Sequence, residues 1–288
     1  MWDVIVARAE VTPRRIDRAT VFRQIISRYV ARANIVSAKG FAVVGGAVAA
    51  FVGCANAQSE NARIGPAARP VVVEMFLSQA CNQSPPAAEI LHNLAARDDV
   101  VALTWHVDYW DAFPAPGVGP WKDPFAKPDF SARQLAYNER IRGRAMKLTP
   151  QAVVDGVISV SGSKPDALEK RIIEAQYLDE MSRPTPPTLE ISREGRSVIR
   201  TRISNVGAAY DATLVSFRKT VETKVAGGDN AGVTFREANV VRAMAPLAEN
   251  HSGAGDFTFA APTDGLDCAV LVQERGSGRI VAARYCSD

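Results

Sequence analysis

The chain has 288 residues, 47% of them hydrophobic, with a formal net charge of +3. That apolar content excludes a disordered chain and suffices for one large core or two ordinary ones. The charge is unevenly divided: residues 1–57 hold eight Lys and Arg against three Asp and Glu, leaving 26 against 28 for the remainder. The slightly acidic body, without a basic patch interleaved with aromatics, excludes a nucleic-acid binder.

At the N-terminus, Lys39 precedes an apolar run from Phe41 to Val52 that ends in Ala55-Asn56-Ala57. The pattern resembles a secretory signal cleaved after Ala57. The run is too short for a membrane span, which needs roughly 20 apolar residues. A periplasmic or secreted location is therefore expected, with residues 1–57 an N-terminal extension and signal peptide. Gly53-Cys54 leaves open a lipid on Cys54, the only other tie to a membrane.

The next stretch, residues 58–183, reads as alternating strands and helices. ARPVVVEMFLS is a β-branched strand, SPPAAEILHNLAARDD a helix with Ser84 as N-cap and Pro85 in its first turn, and VVALTWHVDYW a second strand. The Pro-rich loop after Trp110 is too long for a simple connector. An amphipathic helix ending at Gly143 follows, then two short strands turning at Asp155-Gly156, then a closing helix from Lys164. This is the element order of a thioredoxin-like domain, and Thr149-Pro150 stands where that fold carries a cis-proline.

Beyond the Pro-rich junction SRPTPPTLE, residues 184–288 switch to short alternating strands with Gly, Asn and Asp turns. The fold class expected is thus an α/β thioredoxin-like domain followed by an all-β sandwich-like domain. In CAVLVQERGSGRIVAARYC, Cys268 and Cys286 are equidistant from Ser277, the spacing of a hairpin with facing cysteines. A disulfide there would add about 3 kcal/mol in the chain-entropy model. Two buried, reduced cysteines are the alternative. After cleavage at Ala57, such a bridge leaves Cys81 unpaired.

VVVEMFLSQACNQSPPA, WHVDYWD, WKDPFAKPDFSARQLAYNERI and TPQAVVDG together resemble the secreted thioredoxin-like family catalogued as domain of unknown function 1223, over roughly residues 69 to 288. Members carry Cys-x-x-Cys-Pro-Pro at the helix start. Here Cys81 is followed by Ser84 at the second cysteine's place, which removes the resolving thiol.

A cysteine at a helix N-terminus meets the positive end of the macrodipole, which favours thiolate, the attacking species. Without a resolving partner, a mixed disulfide on Cys81 must be released by an external thiol or by the substrate's second cysteine. That chemistry suits isomerisation or deglutathionylation, with Ser84 donating a hydrogen bond and Thr149 and Pro150 lining the opposite wall. His106 is the candidate base, or else half of a structural pair with Asp108. Phe113, Trp110, Trp121 and Phe125 are candidates for an aromatic lid or for the loop's own core.

Two readings stay open. One is a thiol-disulfide oxidoreductase or isomerase acting on protein or peptide thiols and disulfides or on glutathione. The other is a non-catalytic envelope binding module. Neither implies a cofactor or a metal.

Overall fold

The computed structural model describes residues 69–112, 120–182, 185–195 and 197–287. Contacts divide the chain into Met1–Arg63, outside the described residues, and Ile64–Asp288. The signal peptide, Cys54 and Phe113 therefore lie outside the description. Among the described residues, no helix is long and apolar enough to cross a membrane.

Strand β1 (Val71–Leu77) and strand β2 (Val100–His106) are buried along their whole length. Such continuous apolar runs are what a strand covered on both faces requires. Helix α1 (Ser84–Leu94) connects them, and the two strands pair in parallel from Val71↔Val100 to Leu77↔His106. Ser84 opens the helix rather than capping it, since the cap position is Gln83. Helix α2 (Pro128–Arg142) starts at a proline, whose missing N–H has no intrahelical partner to lose there, and ends at Gly143 in the left-handed region. Strands β3 (Gln151–Val154) and β4 (Ile158–Ser161) form a hairpin whose first strand pairs antiparallel with β1, and helix α3 (Pro165–Ser182) follows.

Alternation along β1 feeds two cores. Val71, Val73, Met75 and Leu77 pack with Ala87 and Leu91 of α1 and with Leu168 and Ile172 of α3. Val72 and Phe76 face the other way, against Trp105, Phe130 and Tyr137.

The remaining strands overturn the expected fold class. They are β5 (Thr188–Glu194), β6 (Val198–Ser204), β7 (Tyr210–Lys224), β8 (Thr234–His251), β9 (Gly255–Ala260), β10 (Asp267–Glu274) and β11 (Ile280–Tyr285). They do not close into a sandwich behind an α/β thioredoxin-like domain. Four of them extend the first sheet into a single mixed, eight-stranded one, in the order β11-β10-β7-β8-β2-β1-β3-β4. Only β5, β6 and β9 form a separate antiparallel sheet. Its inner face places Ile199, Ile191 and Phe259 over the Cys268, Val270 and Cys286 cluster. The fold is mostly β, with eleven strands and three helices among the described residues.

The large sheet curls onto itself. Val215, Phe217, Leu271 and Ile280 from its C-terminal strands share a core with Val72, Phe76 and Trp105 from its N-terminal ones. At the closure, the Ile280 N–H donates to the Asp155 carbonyl at 2.9 Å. Gly156 sits there at φ +72, and a Cβ on it would lie 2.5 Å from the Gly278 carbonyl oxygen, so glycine is required on both counts. Cys268 and Cys286 form a disulfide in the β10–β11 hairpin.

The joint between the halves is narrow. β2 and β8 share one parallel pair, Thr104↔Val240. Side chains supply the bonds the ladder lacks: Thr104 Oγ1 donates to Ala238 O at 2.7 Å, Asn239 Nδ2 to Ala102 O at 2.9 Å, and the Tyr285 hydroxyl accepts from Ala102 N at 2.8 Å. Asn239 has φ 49, a conformation asparagine tolerates better than most residues.

Glu74 is the one charged residue on β1 and is fully buried. Arg133 of α2 donates to both its oxygens at 2.7 and 3.1 Å, Tyr137 donates to it as well, and the guanidinium lies over the Trp105 ring. Burial works against the Arg133 charge, yet Glu74 raises its pKa. Arg133→Met is expected to strand the carboxylate and destabilise the protein by about 3–5 kcal/mol in urea denaturation. Adding Glu74→Gln to that variant should recover a large part of the loss.

Candidate functional site

The segment Ser78 to Ser84 joins β1 to α1 and is built from local bonds: Cys81 N–H to Ser78 O at 3.1 Å and Ser84 N–H to Cys81 O at 3.0 Å. Cys81 is 2% exposed, and its Sγ lies 3.9 Å from the Thr149 carbonyl oxygen. The Thr149-Pro150 peptide is cis. Cys81, Thr149 and Pro150 are thus brought together. Ser84 is fully buried, and its Oγ accepts from the Ser78 N–H at 3.4 Å.

The Thr149 segment is held by amides on α2. Gln134 Nε2 donates to Leu148 O at 2.5 Å and to Gln151 Oε1 at 2.8 Å, while Asn138 Nδ2 donates to Met146 O at 2.7 Å. Trp110 Nε1 donates to Thr149 Oγ1 at 2.6 Å, which makes it a strut rather than a lid. Tyr109 donates to Gln134 Oε1 at 3.1 Å. Burial holds the Tyr109 hydroxyl above its ordinary pKa, with Gln134 working against that shift and Cys81 with it.

His106 ends β2 but does not serve Cys81, and Asp108 is not its partner. Its Nδ1 lies 2.7 Å from Asp123 Oδ2 and its Nε2 3.1 Å from Glu237 Oε1, with all three side chains fully buried. Asp108 instead accepts from the Ser131 hydroxyl at 2.6 Å. Gln79 closes the cluster, its N–H donating to Asp123 Oδ2 and its Nε2 to Glu237 Oε2, each at 2.8 Å. The Phe125 ring packs edge-on against His106. Trp121 packs against the α1-side core.

The C-terminal half contributes a second clamp. Asn230, at the tip of the β7–β8 ribbon, donates to the carbonyls of Gln79 and Cys81, each at 2.8 Å. Asp123 and Gln79 lie inside motifs quoted above. Asn230 and Glu237 lie about 150 residues from Cys81, in the region of alternating strands and Gly, Asn and Asp turns, where no local signal ties them to the site. Among the described residues, no group of three or more His, Cys, Asp and Glu side chains is arranged to hold a metal ion.

The arrangement is similar in fold to a crystal structure of a protein from Agrobacterium tumefaciens. That likeness has a TM-score of 0.60 and 23% sequence identity, and covers 75% of this chain and 92% of the other. The model of a family described as a protein of unknown function, DUF1223, matches residues 72–273, and the chain belongs to that family. No curated protein matches the chain.

Burial opposes the charge on His106, but Asp123 and Glu237 outweigh it and raise its pKa from 6.5 to about 10. A raised histidine stabilises fully below its unfolded value and loses that contribution as pH rises through the folded one. Burial likewise disfavours the Asp123 carboxylate, but His106 lowers its pKa, so its contribution is present above 3.8 and lost at lower pH. Urea denaturation is expected to show stability falling between pH 6.5 and about 10. In His106→Gln that slope should flatten, at the cost of lower stability throughout.

Proposed function

We propose that the protein is an exported, non-catalytic binding module of the cell envelope, engaging a peptide or protein, in which Cys81 is a packed thiol. The observation that carries this reading is the closure around Cys81. The residue is 2% exposed, its sulfur rests on the Thr149 carbonyl, and its own carbonyl is taken by Asn230 and Ser84. Attack on a disulfide needs a thiolate that can reach a sulfur in another molecule, and a buried thiol cannot. Ser84, at the resolving position, is buried and turned to Ser78. Export is supported by the apolar run ending at Ala57 and by the Cys268–Cys286 disulfide, a bond that persists in oxidising compartments.

A second reading keeps Cys81 as a monothiol nucleophile for isomerisation or deglutathionylation. Its support is the placement of the thiol beside the start of α1 and against Thr149-Pro150. It requires the segment from Ser78 to Ser84 to open.

Native-state alkylation decides between them. Iodoacetamide is expected to modify Cys81 at least about 100-fold more slowly in native protein than in urea, because the reaction waits on local opening. Cys81→Ser should fold with an unchanged circular dichroism spectrum and a melting temperature several degrees lower, since a hydroxyl without a partner replaces a packed sulfur. Rapid native alkylation, with release of glutathione from a glutathionylated peptide, would overturn the binding reading in favour of the thiol one.

A further inference from the structure

A cleft of about 500 Å³ opens between the first residues of β2 and the β8 residues Ala238 and Asn239, just ahead of the single pair that joins the two strands. Val100, Val101, Phe217 and Ala238 make its buried floor, and the Tyr285 ring packs edge-on against Phe217. Ala95 and Ala96, at the C-terminal end of α1, form one wall. The volume is that of a small-molecule site, and such sites set a few polar groups in a mostly apolar lining.

Here the polar group is Asn239, which lines the cleft although it is only 7% exposed. Its amide is fixed in direction. Nδ2 donates to the Ala102 carbonyl at 2.9 Å and to the Tyr285 hydroxyl at 3.0 Å, and the backbone sits at φ 49. A carbonyl can be met only by the NH2 side of the amide, so Oδ1 is turned away from Ala102. That oxygen accepts no hydrogen bond among the described residues, yet it is not sealed in the interior. The cleft is where it meets solvent. An acceptor on a nearly buried side chain favours a ligand that donates to it, because a ligand without a donor would cover it and leave it unpaired.

Charge does not select there. The charged residues lining the cleft are Arg97 and Lys219 against Asp98, two positive and one negative, with His92 neutral. None of the three is on the buried floor, and both cations already have carboxylate partners, Arg97 in Glu169 at 2.6 Å and Lys219 in Asp267 at 2.9 Å. A charged ligand would give up water over the apolar floor with no counter-charge on that floor to replace it.

We propose that this cleft binds a small neutral molecule with an aromatic ring and a hydrogen-bond donor, the ring on the floor beside Phe217 and the donor on Asn239 Oδ1. The inference rests on the reading of the protein as a binding module and extends it to a small-molecule ligand. Its test leaves Cys81 untouched, so a failure here and a failure of that reading are told apart.

The probe is indole, titrated by calorimetry and ligand-observed NMR beside benzofuran, its isostere without the N–H, and beside tryptamine and indole-3-acetate as cationic and anionic relatives. Indole should bind saturably and about fivefold more tightly than benzofuran, the size of one hydrogen bond. Hydrophobicity alone would rank the two the other way, since benzofuran leaves water more readily. Neither charged relative should bind more tightly than indole. Asn239→Gly keeps access to positive φ and should remove the preference for indole. Ala96→Trp fills the cleft from an exposed wall position and should abolish binding of both, with an unchanged circular dichroism spectrum and melting curve. Absence of indole binding, equal or tighter binding of benzofuran, tighter binding of a charged relative, a preference kept in Asn239→Gly, or binding that survives Ala96→Trp would each overturn the proposal.

Discussion

A fully buried imidazole is flanked here by two carboxylates, and they come from distant parts of the chain. His106 closes β2, Asp123 comes from the Pro-rich loop, and Glu237 from β8. Removing one member would leave the others charged in an apolar interior, a far larger penalty than the loss of a surface pair. Gln79 ties the same cluster to the turn that carries Cys81. The position of the thiol, the course of the Pro-rich loop and the docking of the β7–β8 ribbon are thus a single problem with a single solution.

That clamp also explains why the chain does not divide into an α/β half and a β half. The ladder between β2 and β8 amounts to one residue pair, too little by itself to hold the two halves of the sheet together. Side chains hold the joint: Thr104, Asn239 and Tyr285 bind backbone groups across it, and the His106 cluster seals one end. On the other face, Glu74 and Arg133 join β1 to α2 in the same way, by a charge pair that burial makes obligatory.

Local pattern made much of this legible. The apolar runs of β1 and β2, the proline in the first turn of α1, Gly143 after α2 and the Asp155-Gly156 turn all lie where periodicity and turn chemistry put them. The hairpin between Cys268 and Cys286 follows from symmetric spacing about Ser277. What periodicity cannot state is which strand pairs with which. β8 has the alternation of an antiparallel strand, and it does pair with β7 along its length, but nothing in that alternation announces its parallel contact with β2. That contact is what joins the C-terminal strands to the first sheet and sets the fold apart from the two separate domains that local pattern suggests. Element order places Cys81 and Thr149-Pro150 at one end of the sheet, and the structure brings them together; sequence proximity suggests Asp108 as the partner of His106, whereas the partner close in space is Asp123.

The span of the β7–β8 ribbon has a consequence for the order of events as the chain emerges from the ribosome. Gln79 and Glu237 are 158 residues apart, and so many of the contacts that complete the first core wait for the second half of the chain. High sequence separation between partners slows folding, since loop closure is paid before the contact rewards it. Until Glu237 arrives, His106 has half of its counter-charge and the Cys81 turn lacks its Asn230 clamp. A partly synthesised chain is therefore held short of its native state by its own topology, and the finished protein locks only when nearly all of it is present.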